Sequence, residues 1–184
     1  MRTSRGFTLI ELLVTFGILA ILVRLAVPSF TTMIRTNNMT GVVNGFIADM
    51  RYARSEAIRR GGKVVMCRSN LPETTQGCDG TNGATTGWAT GWIIFHDLDG
   101  DGAQDAGETI LRVQAPLSAV DSIVDTATTP AYLFRYDATG LIASANTASL
   151  SFGGTSFSTS QQRVICVRIS GIPRISGDGN ANCN

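Results

Sequence analysis

The feature that most constrains this chain lies at its start, where Met1-Arg2-Thr3-Ser4-Arg5-Gly6 is followed by Phe7-Thr8-Leu9-Ile10-Glu11 and an apolar run to Val23. Arg2 and Arg5 ahead of an apolar run give the charge order that holds a leader in the cytoplasm. An ordinary secretory signal ends in a small-residue cleavage site after its apolar region. Here Gly6 precedes that region and no A-x-A pattern closes it, so the apolar stretch is expected to remain on the mature protein. Phe7 to Val23 is about long enough to cross a bilayer when its flanks help. It contains Glu11, and a carboxylate costs on the order of 2.5–3.5 kcal/mol at the centre of a membrane helix, less near an interface. Such a residue needs a partner. If the chain is cut after Gly6, the new amine of Phe7 is the nearest candidate, on this chain or a neighbour. A plain signal anchor that tolerates one glutamate is the alternative; an assembly role is favoured over it.

The hexapeptide Gly6-Phe7-Thr8-Leu9-Ile10-Glu11 resembles the prepilin peptidase site of type IV pilins and type II secretion pseudopilins. The resemblance implies cleavage between Gly6 and Phe7, N-methylation of Phe7, and Glu11 as the assembly carboxylate. Pro28 stands where that family commonly has a helix-kinking proline. Arg24 departs from the usual apolar run before the proline. Snorkelling toward the periplasmic interface is favoured for it over an ion pair inside a filament.

Helical periodicity continues past Pro28. Phe30, Met33 and Ile34, then Met39, Val42, Val43, Phe46, Ile47, Met50, Ala53 and Ala57, recur at three- and four-residue steps. Arg51, Arg54, Glu56, Arg59 and Arg60 mostly fall off that stripe. Gly61-Gly62 is a stop signal, because glycine takes the left-handed C-terminal position without penalty. The pattern predicts one long helix from about Phe7 to Arg60, bent or broken near Pro28. Its Met and Phe stripe is core.

From Lys63 the pattern changes to short β-like runs separated by Gly, Asn, Asp, Thr and Ser. Strands are expected at Lys63–Arg68, Trp92–His96, Thr109–Gln114, Ser122–Val124, Tyr132–Tyr136, Ser149–Phe152 and Arg163–Ile169. Ile172–Ile175 adds an edge piece, since Pro173 argues against a central strand. Leu71–Thr90 reads as a loop. The class is α+β, a long N-terminal helix packed on an antiparallel β-sheet head. The expected divisions are a leader over 1–6, a transmembrane and assembly helix over 7–30, and a periplasmic head over 31–184. Within the head, 31–60 is an amphipathic helix and 63–184 is β-rich. With 184 residues the chain has room for one domain and a helical appendage.

Cys67, Cys78, Cys166 and Cys183 are four cysteines without C-x-x-C spacing, which disfavours zinc and thioredoxin-like chemistry. In an exported chain they give two disulfides, and nearest-neighbour pairing is preferred among three connectivities. Each would close a short loop worth roughly 3 kcal/mol. Four reduced, buried thiols are the alternative.

Three further constellations bear on function. Asp97-Leu98-Asp99-Gly100-Asp101-Gly102-Ala103-Gln104-Asp105-Ala106-Gly107-Glu108 fits the calcium-loop pattern D-x-[DN]-x-[DN]-G-x₅-E. Asp97, Asp99 and Asp101 would supply hard oxygens, Ala103 a carbonyl, Asp105 a contact through water, and Glu108 both of its oxygens. Strand-like flanks, and Gln104 where an apolar anchor is usual, instead suit an acidic hairpin turn. For DNA, a net charge of +1 gives no general footprint. A local patch would have to come from Arg163, Arg168 and Arg174, with Arg135 and Lys63 in reserve. For catalysis, His96 is the only histidine and ends an apolar run, where a structural role is preferred. No nucleophile elbow, carboxylate pair or phosphate loop accompanies it, so no enzyme activity is expected.

Gly91-Trp92-Ile93-Ile94-Phe95, the acidic loop, Gly107-Glu108 and Ile110-Leu111-Arg112-Val113 resemble the GspH/FimT branch of minor pilins and pseudopilins, which includes FimU-like proteins. The resemblance implies a minor pilin that helps initiate a type IV pilus. The alternatives are a GspH-like pseudopilin of type II secretion and a DNA-binding minor pilin of natural transformation. DNA-binding members carry a G-R-x-R motif; the matching stretch here is Gly171-Ile172-Pro173-Arg174, so only Arg174 carries over. The implied partners are major and minor pilins or pseudopilins, the prepilin peptidase and the inner-membrane assembly platform. The implied location is a single pass in the inner membrane with a periplasmic head, then a pilus or pseudopilus. No cofactor is implied beyond the calcium candidate.

Overall fold

The computed structural model describes residues 6–81, 85–127, 130–143 and 148–183, with the backbone alone at 28 and 29. Arg2, Arg5 and the side chain of Pro28 lie outside the described residues. The chain divides into two compact units, Met1–Asn37 and Asn38–Asn184.

Helix α1 runs Leu9–Arg60. Of the bend or break expected near Pro28, the break does not occur, because a proline removes one backbone donor while the flanking turns keep theirs. In the first unit the side chains of Phe7, Leu9, Ile10, Leu13, Phe16 and Leu19 are all exposed. This stretch is long and apolar enough to cross a membrane. In the second unit the helix buries Met39, Val43, Phe46, Met50, Ala53 and Ala57 along one stripe. It stops where Gly61 and Gly62 turn to positive φ and the Gly62 N–H donates back to the Ala57 carbonyl at 2.7 Å. That six-to-one bond is the Schellman closure.

Among the described residues eight strands follow: β1 Val64–Arg68, β2 Trp92–His96, β3 Thr109–Gln114, β4 Ser122–Asp125, β5 Leu133–Tyr136, β6 Ala148–Gly153, β7 Arg163–Val167 and β8 Pro173–Gly177. They form two antiparallel sheets rather than the single sheet expected, ordered β3-β2-β1-β5 and β4-β6-β7-β8. β8 is an edge strand, so the missing N–H of Pro173 is tolerated there.

Every residue of β1 is buried because both faces of the first sheet are covered. Met66, Ile94, Phe134 and Tyr136 face the α1 stripe, while Val65, Cys67, Ile93 and Phe95 form a second cluster with Cys78, Ile110 and Leu133 on the far face. Phe46 of α1 ties the two sheets together. Its ring meets Trp92 edge-on at 5.1 Å and Phe152 at 5.4 Å, geometry worth about 0.5–1.5 kcal/mol per pair beyond area burial. Leu71–Thr90 is not all loop. Trp88–Thr90 form a 3₁₀ turn, and Trp88 drops into the core, stacked on Phe134 at 5.3 Å.

Candidate functional site

At the start of α1, Thr8 and Glu11 close a reciprocal cap. The Thr8 N–H donates to Glu11 Oε2 at 2.9 Å, and the Thr8 hydroxyl donates to the same oxygen at 2.8 Å. The Glu11 N–H donates back to Thr8 Oγ1 at 3.3 Å. Two otherwise orphaned donors are satisfied, as in a capping box. Oε1 takes no part in these bonds. Glu11 is therefore a helix-starting residue as well as the expected assembly carboxylate; this cap was not singled out from the sequence, where Thr8-x-x-Glu11 is the capping-box spacing. Gly6 and Phe7 precede the helix and are exposed.

The acidic loop between β2 and β3 is built around Asp97, which is fully buried. Its two oxygens accept the Gly100 N–H at 2.6 Å and the Gly102 N–H at 3.0 Å, and Arg135 Nη2 lies 3.6 Å away. Gly102 has φ +86, and a Cβ there would meet the Arg135 guanidinium at 2.5 Å. Glu108 closes the loop by accepting the Leu98 N–H at 2.6 Å and the Asp105 N–H at 3.1 Å. Two overlapping trios result, Asp97-Asp99-Glu108 and Asp99-Asp101-Asp105, each with carboxylate oxygens within 4.8 Å of one another. The Asp105 carboxyl is pushed above its ordinary range, by the Asp101 charge first and then by desolvation, Asp99 and Glu108. These hard oxygens suit a calcium-type cation chemically. The same loop is also held without one, by backbone N–H groups.

The arginines proposed for DNA are split. Arg163 donates through Nη1 to the Ser160 and Gln162 carbonyls at 2.8 and 2.7 Å. Arg135 faces Asp97, and Lys63 Nζ donates to the Leu98 carbonyl at 2.6 Å. Each of these three is thus engaged with oxygens of its own head. Arg168 and Arg174 do come together, lining a cleft of about 380 Å³ with Ile172, Asn182 and Cys183. The wall of that cleft is the C-terminal tail, tied to β7 by a Cys166–Cys183 disulfide. A second disulfide, Cys67–Cys78, anchors the loop covering the far face of the first sheet. His96 pairs with Val64 and Thr109 inside the β1–β2–β3 ladder.

Asp49 is a site the sequence pattern did not single out. It is buried on α1, with the Trp92 indole N–H donating to Oδ2 at 2.8 Å and Arg112 Nε 2.9 Å from Oδ1. Burial pushes its carboxyl above the ordinary range, opposed by the Trp92 bond and the Arg112 charge.

Comparison with known proteins adds to this geometry. Residues 42–172 match the family described as Type II transport protein GspH. Residues 1–23 match the prokaryotic N-terminal methylation motif. The chain is 29% identical over 142 residues to Prepilin peptidase-dependent protein D of Escherichia coli K12, covering 61% of this chain and 97% of that one. The type IV minor pilin FimU of Pseudomonas aeruginosa PAO1 superposes with a TM-score of 0.57 at 16% identity, covering 80% of this chain and 96% of the crystallised FimU chain. A second crystal form of FimU gives 0.53 at 15% identity, covering 79% and 99%.

Proposed function

Since this chain belongs to the GspH family of type IV pilin-like proteins, we propose that it is a minor pilin that enters a type IV pilus and helps to initiate its assembly. Proteins of this family are structural subunits and not enzymes. The N-terminal apolar helix and methylation motif fit a membrane-anchored pilin with a periplasmic head. The observation that carries the finer reading is the combination of that motif with a head folded like the minor pilin FimU.

In this reading the leader is removed after Gly6 and the new amine of Phe7 is methylated. The helix rests in the inner membrane until the assembly platform passes the subunit to other pilins. Glu11 keeps Thr8 with one oxygen and offers Oε1 to the Phe7 amine of a neighbour. Pairing offsets a carboxylate cost of about 2.5–3.5 kcal/mol in the bilayer. Apolar side chains then exchange lipid for helix packing.

The test is the yield of major pilin sheared from cells lacking this protein. Loss of surface pili, restored by wild type and not by Glu11→Ala, is the expected result. Normal piliation in the deletion strain would overturn the priming role. A second reading, a pseudopilin of type II secretion, is favoured by the description of the matched family; it predicts normal pili and failed exoprotein release. The cleft shared by Arg168 and Arg174 favours a third, DNA uptake, which predicts failed transformation instead.

A further inference from the structure

The head is close to neutral overall, yet its charges are segregated. On one side lies the face made by α1 and β8. Arg51 is exposed and Arg54 half-buried, one turn apart on α1, and Arg174 is exposed on β8. Among the described residues none of the three makes an ion pair or a side-chain hydrogen bond. Arg51 and Arg174 share a cleft of about 550 Å³, and Arg51 and Arg54 share an adjoining one of about 410 Å³ with Ile58 and Ile172. Arg54 Nε is buried without an acceptor, and so is the nearby Tyr136 hydroxyl. The face therefore holds cations that lack anions.

On the opposite side lies the acidic loop. Asp97 continues the alternation of Ile93 and Phe95, which point away from α1, whereas Met66, Ile94 and Phe134 point toward it. Asp99, Asp101 and Asp105 are exposed at the loop's tip. Like charges crowd there with no cation among the described side chains beyond Arg135 and Lys63 at the base. The basic face lies on α1 and on β8 of the second sheet, while the acidic loop joins β2 to β3 of the first. Two unlike, complementary surfaces on one head give a heterologous contact between copies, which closes into a ring or propagates according to the rotation between them.

We propose that the Arg51–Arg54–Arg174 face is the docking surface for the Asp97–Glu108 loop of a second copy of this chain. Guanidinium groups pair carboxylates bidentately, which sets register as well as attraction. The contact joins head to head and does not depend on the membrane helix or on the priming role.

The test uses the processed full-length protein in detergent micelles, with association followed by sedimentation at low and high salt. Arg51→Glu with Arg174→Glu makes one variant, and Asp99→Lys with Asp101→Lys makes the other. Each alone is expected to associate about tenfold more weakly or worse. Mixing the two restores pairing, because the reversed face of one now matches the reversed loop of the other. Salt weakens the wild-type and mixed pairs together, since exposed charges are screened beyond about 10 Å at 0.1 M. Helix-driven association is untouched by either variant. Equal association in wild type and both variants would overturn the proposal, as would variants that weaken it without rescue on mixing. Unchanged self-association with loss of binding to duplex DNA in the arginine variant would assign the face to nucleic acid instead.

Discussion

The indole N–H of Trp92 donates to Asp49 Oδ2 at 2.8 Å, with both residues buried, and so locks α1 to β2 through a carboxylate in the core. Removing it leaves an indole donor unpaired and Arg112 without its partner. Asp49→Ala is expected to cost about 2–4 kcal/mol, somewhat under the loss for a fully buried pair because Arg112 is half-exposed. The pH dependence separates charge from shape. Burial raises the Asp49 carboxyl above 3.8 in the folded chain, so the folded state holds that proton more tightly than the unfolded one. Its stabilising contribution is complete below pH 3.8 and declines as pH rises through the folded value. Glu56, Asp79 and Asp137 have lowered values and run the other way. The stability advantage of wild type over Asp49→Asn should therefore shrink as pH climbs above 3.8. Urea midpoints read by tryptophan fluorescence will show it; a difference that widens with pH would contradict the account.

Gly87 sets the position of Trp88. Its φ is +55, and an added Cβ would collide with the Ile123 carbonyl. That backbone approach forms a bridge to the second sheet, Gly87 with Ile123. Gly87→Ala should push Trp88 off Phe134 and cost about 2–4 kcal/mol, from backbone strain and lost packing together. Gly77→Ala has open space around it and should be nearly neutral. Near-ultraviolet circular dichroism would register the displaced indole, and an unchanged spectrum in Gly87→Ala would refute the role.

Much of this fold was legible in the chain because its signals are local. The Met39–Ala57 stripe has helical period, Gly61-Gly62 is a stop, and each β-like run between turn residues became a strand within a residue or two. The partition into two sheets was not legible, since which strand pairs with which is a long-range choice absent from period-two patterning. Trp88 was missed because a single 3₁₀ turn inside Leu71–Thr90 carries no periodicity. Asp49 reads in sequence as a break in an apolar stripe, and only its partners, 43 residues away at Trp92, show why it is tolerated. The Arg51–Arg54–Arg174 face joins helix to edge strand and likewise has no local signature.

The two disulfides do different work. Cys67–Cys78 closes a separation of 11 residues over the buried far face of the first sheet, where Cys67 is fully buried. Cys166–Cys183 closes 17 and ties an exposed tail to β7. Chain entropy alone assigns about 3 kcal/mol to each. Replacing Cys67 and Cys78 by serine should cost more than that, because it also leaves polar groups facing Val65, Ile93 and Phe95. Replacing Cys166 and Cys183 should lower stability by no more than about 3 kcal/mol and raise hydrogen exchange from 178 to 183 selectively. Equal losses, or exchange spread across both sheets in the second variant, would refute this division.

The acidic loop yields the last prediction. Asp99 belongs to both carboxylate trios, and Asp105 is pushed up chiefly by the Asp101 charge. A divalent cation would relieve that repulsion and draw the Asp105 carboxyl back down. With an affinity typical of extracellular calcium modules, about 10⁻⁴–10⁻³ M, 10 mM calcium would stabilise the head by about 1–3 kcal/mol through mass action. The melting temperature should rise in calcium and fall back in chelator. Asp99→Ala removes a ligand from both trios and should abolish the rise while leaving Asp97, with its Gly100 and Gly102 bonds, in place. Magnesium should do less, since it demands a tighter octahedral shell than this loop's spread of oxygens offers. No shift at millimolar calcium would reduce the loop to a hairpin turn held by its own backbone N–H groups, with its exposed carboxylates left for a protein partner.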